Sequence, residues 1–180
     1  MLSLVSVFSV NLIATLAMPR EDSTRAFTPG STAAAAELTP TPRLTAAEDA
    51  RAQLERRVLA TASRYLGTRY RLGGTKPSAF DCSGFVRYVF ARHGVALPRT
   101  AREQSAIGTT VVVGVDSLKV GDLLFFRTPR GQASHVAIYA GDGRIIHASS
   151  GSRRVRYDDL ASTRGRWFIE HLTSIRRVVG

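Results

Sequence analysis

A single cysteine, Cys82, stands in a chain of 180 residues. One thiol excludes an intramolecular disulfide and every zinc site built from three or four cysteines. Lysine is nearly missing as well: almost all of the 25 basic residues are arginine, set against 14 Asp and Glu, for a formal charge of +11. That shortage of acid suits a polyanionic setting, whether nucleic acid, anionic lipid or an acidic wall polymer. The arginines are scattered, with only short pairs such as Arg153-Arg154 and Arg176-Arg177. Without a basic helix or an aromatic–basic repeat, a nucleic-acid partner is not expected, and a solvated basic surface is the plainer account. No internal repeat is visible. What remains is ordinary: 44% hydrophobic and 22% charged residues can build a packed core without staples.

The amino end is short of charge. Met1 to Met18 is apolar, but too short and too polar at Ser9 to Asn11 for a span of about 20 apolar residues. A secretory signal over residues 1–17 fits better, with Thr15 and Ala17 as the small residues before the cleavage point; an uncleaved anchor and a cytoplasmic start are the alternatives. No cysteine follows, so lipoprotein processing is not available. Residues 18–45 are rich in Ala, Thr, Pro and Ser and read as a flexible linker. The folded domain is expected over 46–180, exported to the periplasm or cell envelope, with no stable membrane span after cleavage.

Within that domain, Thr45 and Glu48 form a capping-box pattern, and the apolar spacing predicts a helix from about Ala46 to Leu66, ended by Gly67. The stretch from Tyr70 to Phe80 reads as loop, with Pro77 forbidding regular pairing. A second helix is expected from Cys82 to His93, capped by Asp81, with Phe85, Val86, Val89 and Phe90 on one face. Thr100 and Glu103 suggest a short third helix. Beyond Gly108 the pattern turns to strands, at about Leu123–Arg127, His135–Ala140, Arg144–Ala148, Arg153–Tyr157 and Leu172–Val178. Helices followed by an antiparallel sheet make the class α+β.

Cys82 is the sharpest chemical feature. At a helix start, partial positive charge favours thiolate over thiol. The N–H groups of Cys82 and Ser83 would be free of helical partners and could form an oxyanion hole. Gly84 would let neighbouring chain approach closely. The plainer alternative is a buried, inert cysteine, against which the polar Asp81 and Ser83 on either side argue. A thiolate at neutral pH needs a histidine beside it. His93 lies about 16 Å away along the same helix, at roughly 1.5 Å per residue. His171, expected on the last strand, has no identifiable partner. His135 and His147 fall on adjacent strands joined by Gly141-Asp142-Gly143.

Register decides whether those two can cooperate. A two-residue turn pairing Gly141 with Arg144 would put them on opposite faces. A three-residue loop pairing Ala140 with Arg144 sets His147 opposite Ala137, diagonal to His135 and about 7–8 Å from it between backbones. The catalytic reading, with His135 as base and His147 orienting it, requires the second arrangement. Two ordinary strand histidines satisfied by backbone or water are the alternative.

Taken together, Asp81-Cys82-Ser83-Gly84-Phe85-Val86, Leu97-Pro98-Arg99, Gly121-Asp122-Leu123, Ser134-His135-Val136-Ala137-Ile138-Tyr139 and Ile146-His147-Ala148 resemble the NlpC-type peptidases of the papain-like superfamily, over about Leu59 to Val179. The resemblance implies a papain-like fold and a peptidoglycan endopeptidase acting on the stem peptide, most often between D-γ-glutamate and diaminopimelate or lysine. It implies Cys82, His135 and His147 as catalytic residues, with the Tyr70 hydroxyl in the oxyanion pocket. Asp81, Ser83 and Ser134 match positions lining the amino-terminal side of the substrate. The family uses no metal or organic cofactor, and nothing in the sequence demands an oligomer. Leu72 stands where the family usually has an aromatic residue, and Ala137 where glycine is common; neither change removes a reacting group. Other readings are a wall-binding protein that does not cleave, and an acyltransferase or toxin of the same fold.

Overall fold

The computed structural model describes residues 45–112 and 117–179. The expected signal at 1–17, and all of the 18–45 linker but Thr45, lie outside the described residues.

Helix α1 (Ala46–Ser63) opens on the Thr45–Glu48 capping box and stops three residues before the expected end; Gly67 then turns the chain at φ 81°. Pro77 does not prevent pairing. Thr75–Lys76 (β1) and Ala79–Phe80 (β2) form a small antiparallel hairpin with Pro77-Ser78 as its tip, where proline's missing N–H costs no ladder bond. Helix α2 (Cys82–Ala91) follows, and its expected face of Phe85, Val86, Val89 and Phe90 is fully buried. Helix α3 (Ala101–Gln104) begins on a second capping box, Thr100–Glu103.

Then come the strands β3 (Thr109–Thr110), β4 (Leu123–Thr128), β5 (Gly131–Gly141), β6 (Arg144–Ser149), β7 (Arg154–Asp159) and β8 (Leu172–Arg177), in the antiparallel sheet order β3-β8-β4-β5-β6-β7. Between β7 and β8 lies α4 (Thr163–His171), an element not expected from the sequence, capped by Ser162 on the Gly165 N–H. The class is α+β, as read from the sequence.

The sheet is buried on both faces, which is why Leu123-Leu124-Phe125-Phe126 reads as a continuous apolar run. Leu123, Phe125, Val136, Ile138, Ile146 and Ala148 join one apolar layer with α1 and α2. Leu124, Phe126, Ala137, Tyr139 and Ile145 join the other with Phe168 of α4. Among the described residues no helix is long and apolar enough to cross a membrane.

One close approach fixes the start of α2. A Cβ added at Gly84 would stand 2.1 Å from the Gly74 carbonyl oxygen, whose own partner is the Asp81 N–H at 2.9 Å. No flexible side chain is available to yield there, because the obstacle is backbone. Gly84→Ala should therefore destabilise the domain by about 3 kcal/mol or more, the overpacking range at its upper end. Thermal or denaturant unfolding checks it; a loss under about 1 kcal/mol would show that the hairpin and helix can part without consequence.

Candidate active site

Asp81 is the N-cap of α2, and its carboxylate is the anchor of the helix start. It accepts from the N–H of Gly84 at 2.7 Å and of Gly73 at 2.9 Å, and pairs with Arg99 at 2.6 Å. Ser83 Oγ lies 3.3 Å from the same carboxylate and accepts from Arg99 at 3.1 Å. Because Asp81 holds the Gly84 N–H, the N–H groups of Cys82 and Ser83 are the two at this terminus left without a helical or capping partner. Both lie close enough to the sulfur to favour its anion. That is the donor pair expected for an oxyanion hole.

Cys82 is nearly buried, with its Sγ 3.9 Å from the Ser134 carbonyl oxygen and near the Val136 N–H. The sulfur thus lies against the β5 backbone on both sides of His135. The partial positive charge of the helix start is opposed by the surroundings of the thiol. Burial pushes the Cys82 thiol up, Asp81 adds to that, and the N–H groups of Val136, Ser83 and Cys82 only partly offset it.

The hairpin that carries the histidines differs from the sequence expectation in its turn, yet reaches the same register. Gly141 pairs with Arg144 across Asp142-Gly143, a two-residue turn with φ of 51° and 68°. A bulge between Tyr139 and Gly141 then inserts one residue, so Ile138 pairs with Ile146. Continued by one step, that register places His147 opposite Ala137. The extra residue in the bulge does what a longer loop would have done, and the histidines share a face.

They are in direct contact: His135 Nε2 lies 2.8 Å from His147 Nδ1. His147 is almost wholly buried, and its Nε2 lies 2.9 Å from Asp158 Oδ2. Asp158, on β7, was not anticipated as a site residue, and neither was Arg156, which holds its other oxygen at 2.9 Å. These contacts order the protons. A carboxylate can only accept, so His147 donates from Nε2 and accepts at Nδ1. His135 therefore donates from Nε2, and its Nδ1 carries the lone pair. Any proton His135 exchanges with the cavity passes through Nδ1. Burial holds His135 well below the ordinary histidine range, helped by His147; burial also lowers His147, against the opposing pull of Asp158.

Two cavities meet at Cys82. The larger, about 870 Å³, is lined by Leu72, Asp81, Ser83, Arg99 and Ala133 among others; the smaller, about 390 Å³, by His135, His147, Ser149, Trp167 and Phe168. Tyr70, Cys82, Arg130 and Ser134 line both. The Tyr70 hydroxyl is raised above its ordinary value by burial and by Cys82 and Asp81, which keeps it a proton donor. Ser134 Oγ donates to the Gly131 carbonyl at 2.9 Å and bonds Thr128, so it braces the β4–β5 turn. Leu72 is exposed at the rim of the larger cavity.

The residues singled out from the sequence therefore all border one continuous hollow or hold its walls. The remaining histidines are elsewhere: His93 Nε2 bonds Thr61 at 2.9 Å, and His171 ends α4, stacked on Trp167, rather than lying on the last strand.

The sequence matches the NlpC/P60 family over residues 67–177. It is 44% identical over 103 residues to the probable endopeptidase p60 of Listeria innocua, covering 57% of this chain and 21% of that one. It is 38% identical over 122 residues to a γ-D-glutamyl-L-lysine dipeptidyl-peptidase of Bacillus cereus, covering 67% and 35% respectively. A crystal structure of an NlpC/P60 family protein from Bacillus cereus superposes with a TM-score of 0.63 at 34% identity, covering 70% of this chain and 40% of that one. The chain spans about a fifth to a third of the length of these curated relatives.

Proposed function

Because the chain belongs to the NlpC/P60 family, we propose that it is an exported cysteine peptidase that cuts the peptidoglycan stem peptide between D-γ-glutamate and diaminopimelate. The carrying observation is that Cys82 and Tyr70 share a cavity with an imidazole whose unprotonated nitrogen is fixed by a two-step hydrogen-bond chain. The name of the Bacillus cereus relative supports the γ-D-glutamyl bond as the target.

With the thiol raised and the imidazole lowered, the resting pair is neutral. As the substrate carbonyl seats against sulfur, His135 Nδ1 takes the Sγ proton and Sγ bonds to the carbonyl carbon. The oxyanion receives hydrogen bonds from the N–H groups of Cys82 and Ser83 and from the Tyr70 hydroxyl. Collapse breaks the C–N bond, and His135 returns the proton to the departing amine. Water, deprotonated by the same nitrogen, then attacks the thioester, releases the carboxylate and restores the thiol. The larger cavity, with Asp81, Ser83 and Ser134, holds the acyl side; the smaller holds the amine side. No organic cofactor or metal enters this scheme.

Digestion of purified peptidoglycan followed by mass spectrometry tests the reading. Expected are fragments ending in L-Ala-D-Glu and partners with a new amino terminus on diaminopimelate. Products cut only in the glycan, or a cut at another peptide bond, would overturn it. The domain is taken to act as a monomer, delivered by a signal at residues 1–17 and carried on a linker over 18–45.

A further inference from the structure

Arg130 is placed where neither the reacting groups nor the helix cap require it. It occupies the two-residue turn Pro129-Arg130 between β4 and β5, closed by the Thr128–Gly131 pair. Its own N–H bonds Thr128 Oγ1 at 3.2 Å, and Thr128 bonds Ser134, so the turn is tied down from within. Arg130 lines both cavities, together with Tyr70, Cys82 and Ser134. Among the described residues no carboxylate lies within ion-pair distance of it. Of the other arginines lining this hollow, Arg99 is engaged by Asp81 at 2.6 Å, and Arg102 borders only the larger cavity, not the one that holds the histidines. Arg130 is thus the one arginine that borders both cavities, and its charge is not matched by a carboxylate there.

Resting on the functional reading above, we propose that Arg130 recognises the free α-carboxylate of the D-γ-glutamyl residue and makes the enzyme discriminate against the α-amidated, isoglutaminyl form. A γ-glutamyl amide differs from a common peptide bond in leaving its α-carboxylate a few bonds from the scissile carbonyl. When that carbonyl sits against Cys82, the carboxylate must fall within the same short stretch of wall. A planar guanidinium matches a carboxylate with two parallel hydrogen bonds and has little to offer a carboxamide in the same pose. The guanidinium also lies close enough to the Tyr70 hydroxyl to pull its pKa down against burial, which places it at the level of the reaction.

The test compares the purified full chain with Arg130→Gln and Arg130→Lys on two synthetic tripeptides, L-Ala-γ-D-Glu-diaminopimelate and its α-amidated counterpart. The unaltered enzyme should favour the acid by about tenfold or more in kcat/KM. Arg130→Gln should lose roughly ten- to a hundredfold on the acid, the size of a charged hydrogen-bond pair, and less than about threefold on the amide. Arg130→Lys should keep part of the preference, since charge persists without the fork. An equal loss on both peptides would assign Arg130 to Tyr70 or to the turn and overturn the proposal, as would an unchanged preference. Failure of the unaltered enzyme on both peptides would instead defeat the functional reading, and the role of Arg130 with it.

Discussion

Cys82→Ala should reduce stem-peptide hydrolysis by about 10⁴-fold or more while leaving the domain folded. Removal of a nucleophile from an enzyme that acts through a covalent intermediate leaves only the binding and oxyanion contributions, which is why such losses are so large. The fold should tolerate the change because little else depends on the sulfur. The helix start is held by Asp81 through Gly73, Gly84 and Arg99, all untouched by the substitution. The thiol's own contact is a long one, 3.9 Å to the Ser134 carbonyl. Losing one buried sulfur should cost about 1 kcal/mol. Release of labelled peptide and thermal unfolding, measured on the same preparation, separate the two effects. Activity within tenfold of the unaltered enzyme would remove Cys82 from the reaction. A variant that fails to fold would show the sulfur to be part of the core.

How far the sequence foretold this site depends on the range of the interaction concerned. The start of α2 was legible because capping is local: Asp81, Cys82 and Gly84 lie within a turn of one another, and the residue types at each place carry their own reason. The face of Phe85, Val86, Val89 and Phe90 was legible from period alone. The histidine pair was legible as a condition on register, but not the device that met it. A bulge at Ala140–Gly141 leaves no mark separating it from a longer loop, since glycine at 141 and 143 serves both. Asp158 was missed because β7 was ended at Tyr157, one residue short of the carboxylate, and because its partners come from other elements. Helix α4 was missed for a related reason. Gly165 stands in its first turn and weakens the helical pattern, yet the close approach of Asp159 and Leu160 backbone demands a residue without Cβ there. Ser162 three residues ahead of Gly165 was the available cap signal. The balance of thiol and imidazole was not legible at all. It is set by burial, a property of the packed layers rather than of any segment.

Asp158→Asn should lower kcat by about 10²- to 10⁴-fold, although residue 158 touches neither sulfur nor substrate. The reason lies in which atoms can face which. Asp158 Oδ1 meets the Arg156 guanidinium at 2.9 Å, with Arg164 at 3.9 Å, and both of these neighbours are donors. After the substitution the amide oxygen must take that side, which turns the NH₂ group toward His147 Nε2. A donor there requires His147 to accept at Nε2 and to donate from Nδ1. His135 must then accept at Nε2 and carry its proton on Nδ1, the nitrogen that should receive the thiol's proton. The base is thereby supplied in the wrong tautomer. The same replacement behind the histidine of a Ser-His-Asp triad costs about 10⁴; here one more ring intervenes, and the lower part of the range is included for that reason. A second readout separates this positioning role from plain damage. The carboxylate raises the proton affinity of His147, one member of the coupled histidine pair. The neutral imidazole is the active form, so activity falls as pH drops through the pKa of the coupled pair. With the negative charge gone that pKa is lower, and the acid limb of kcat/KM should move to lower pH in the Asp158→Asn enzyme. Loss of structure alone would scale the profile without shifting it. A variant with undiminished kcat and an unmoved limb would break the chain from Asp158 to His135. The base would then have to be oriented by the Phe126 and Phe168 rings that pack around it.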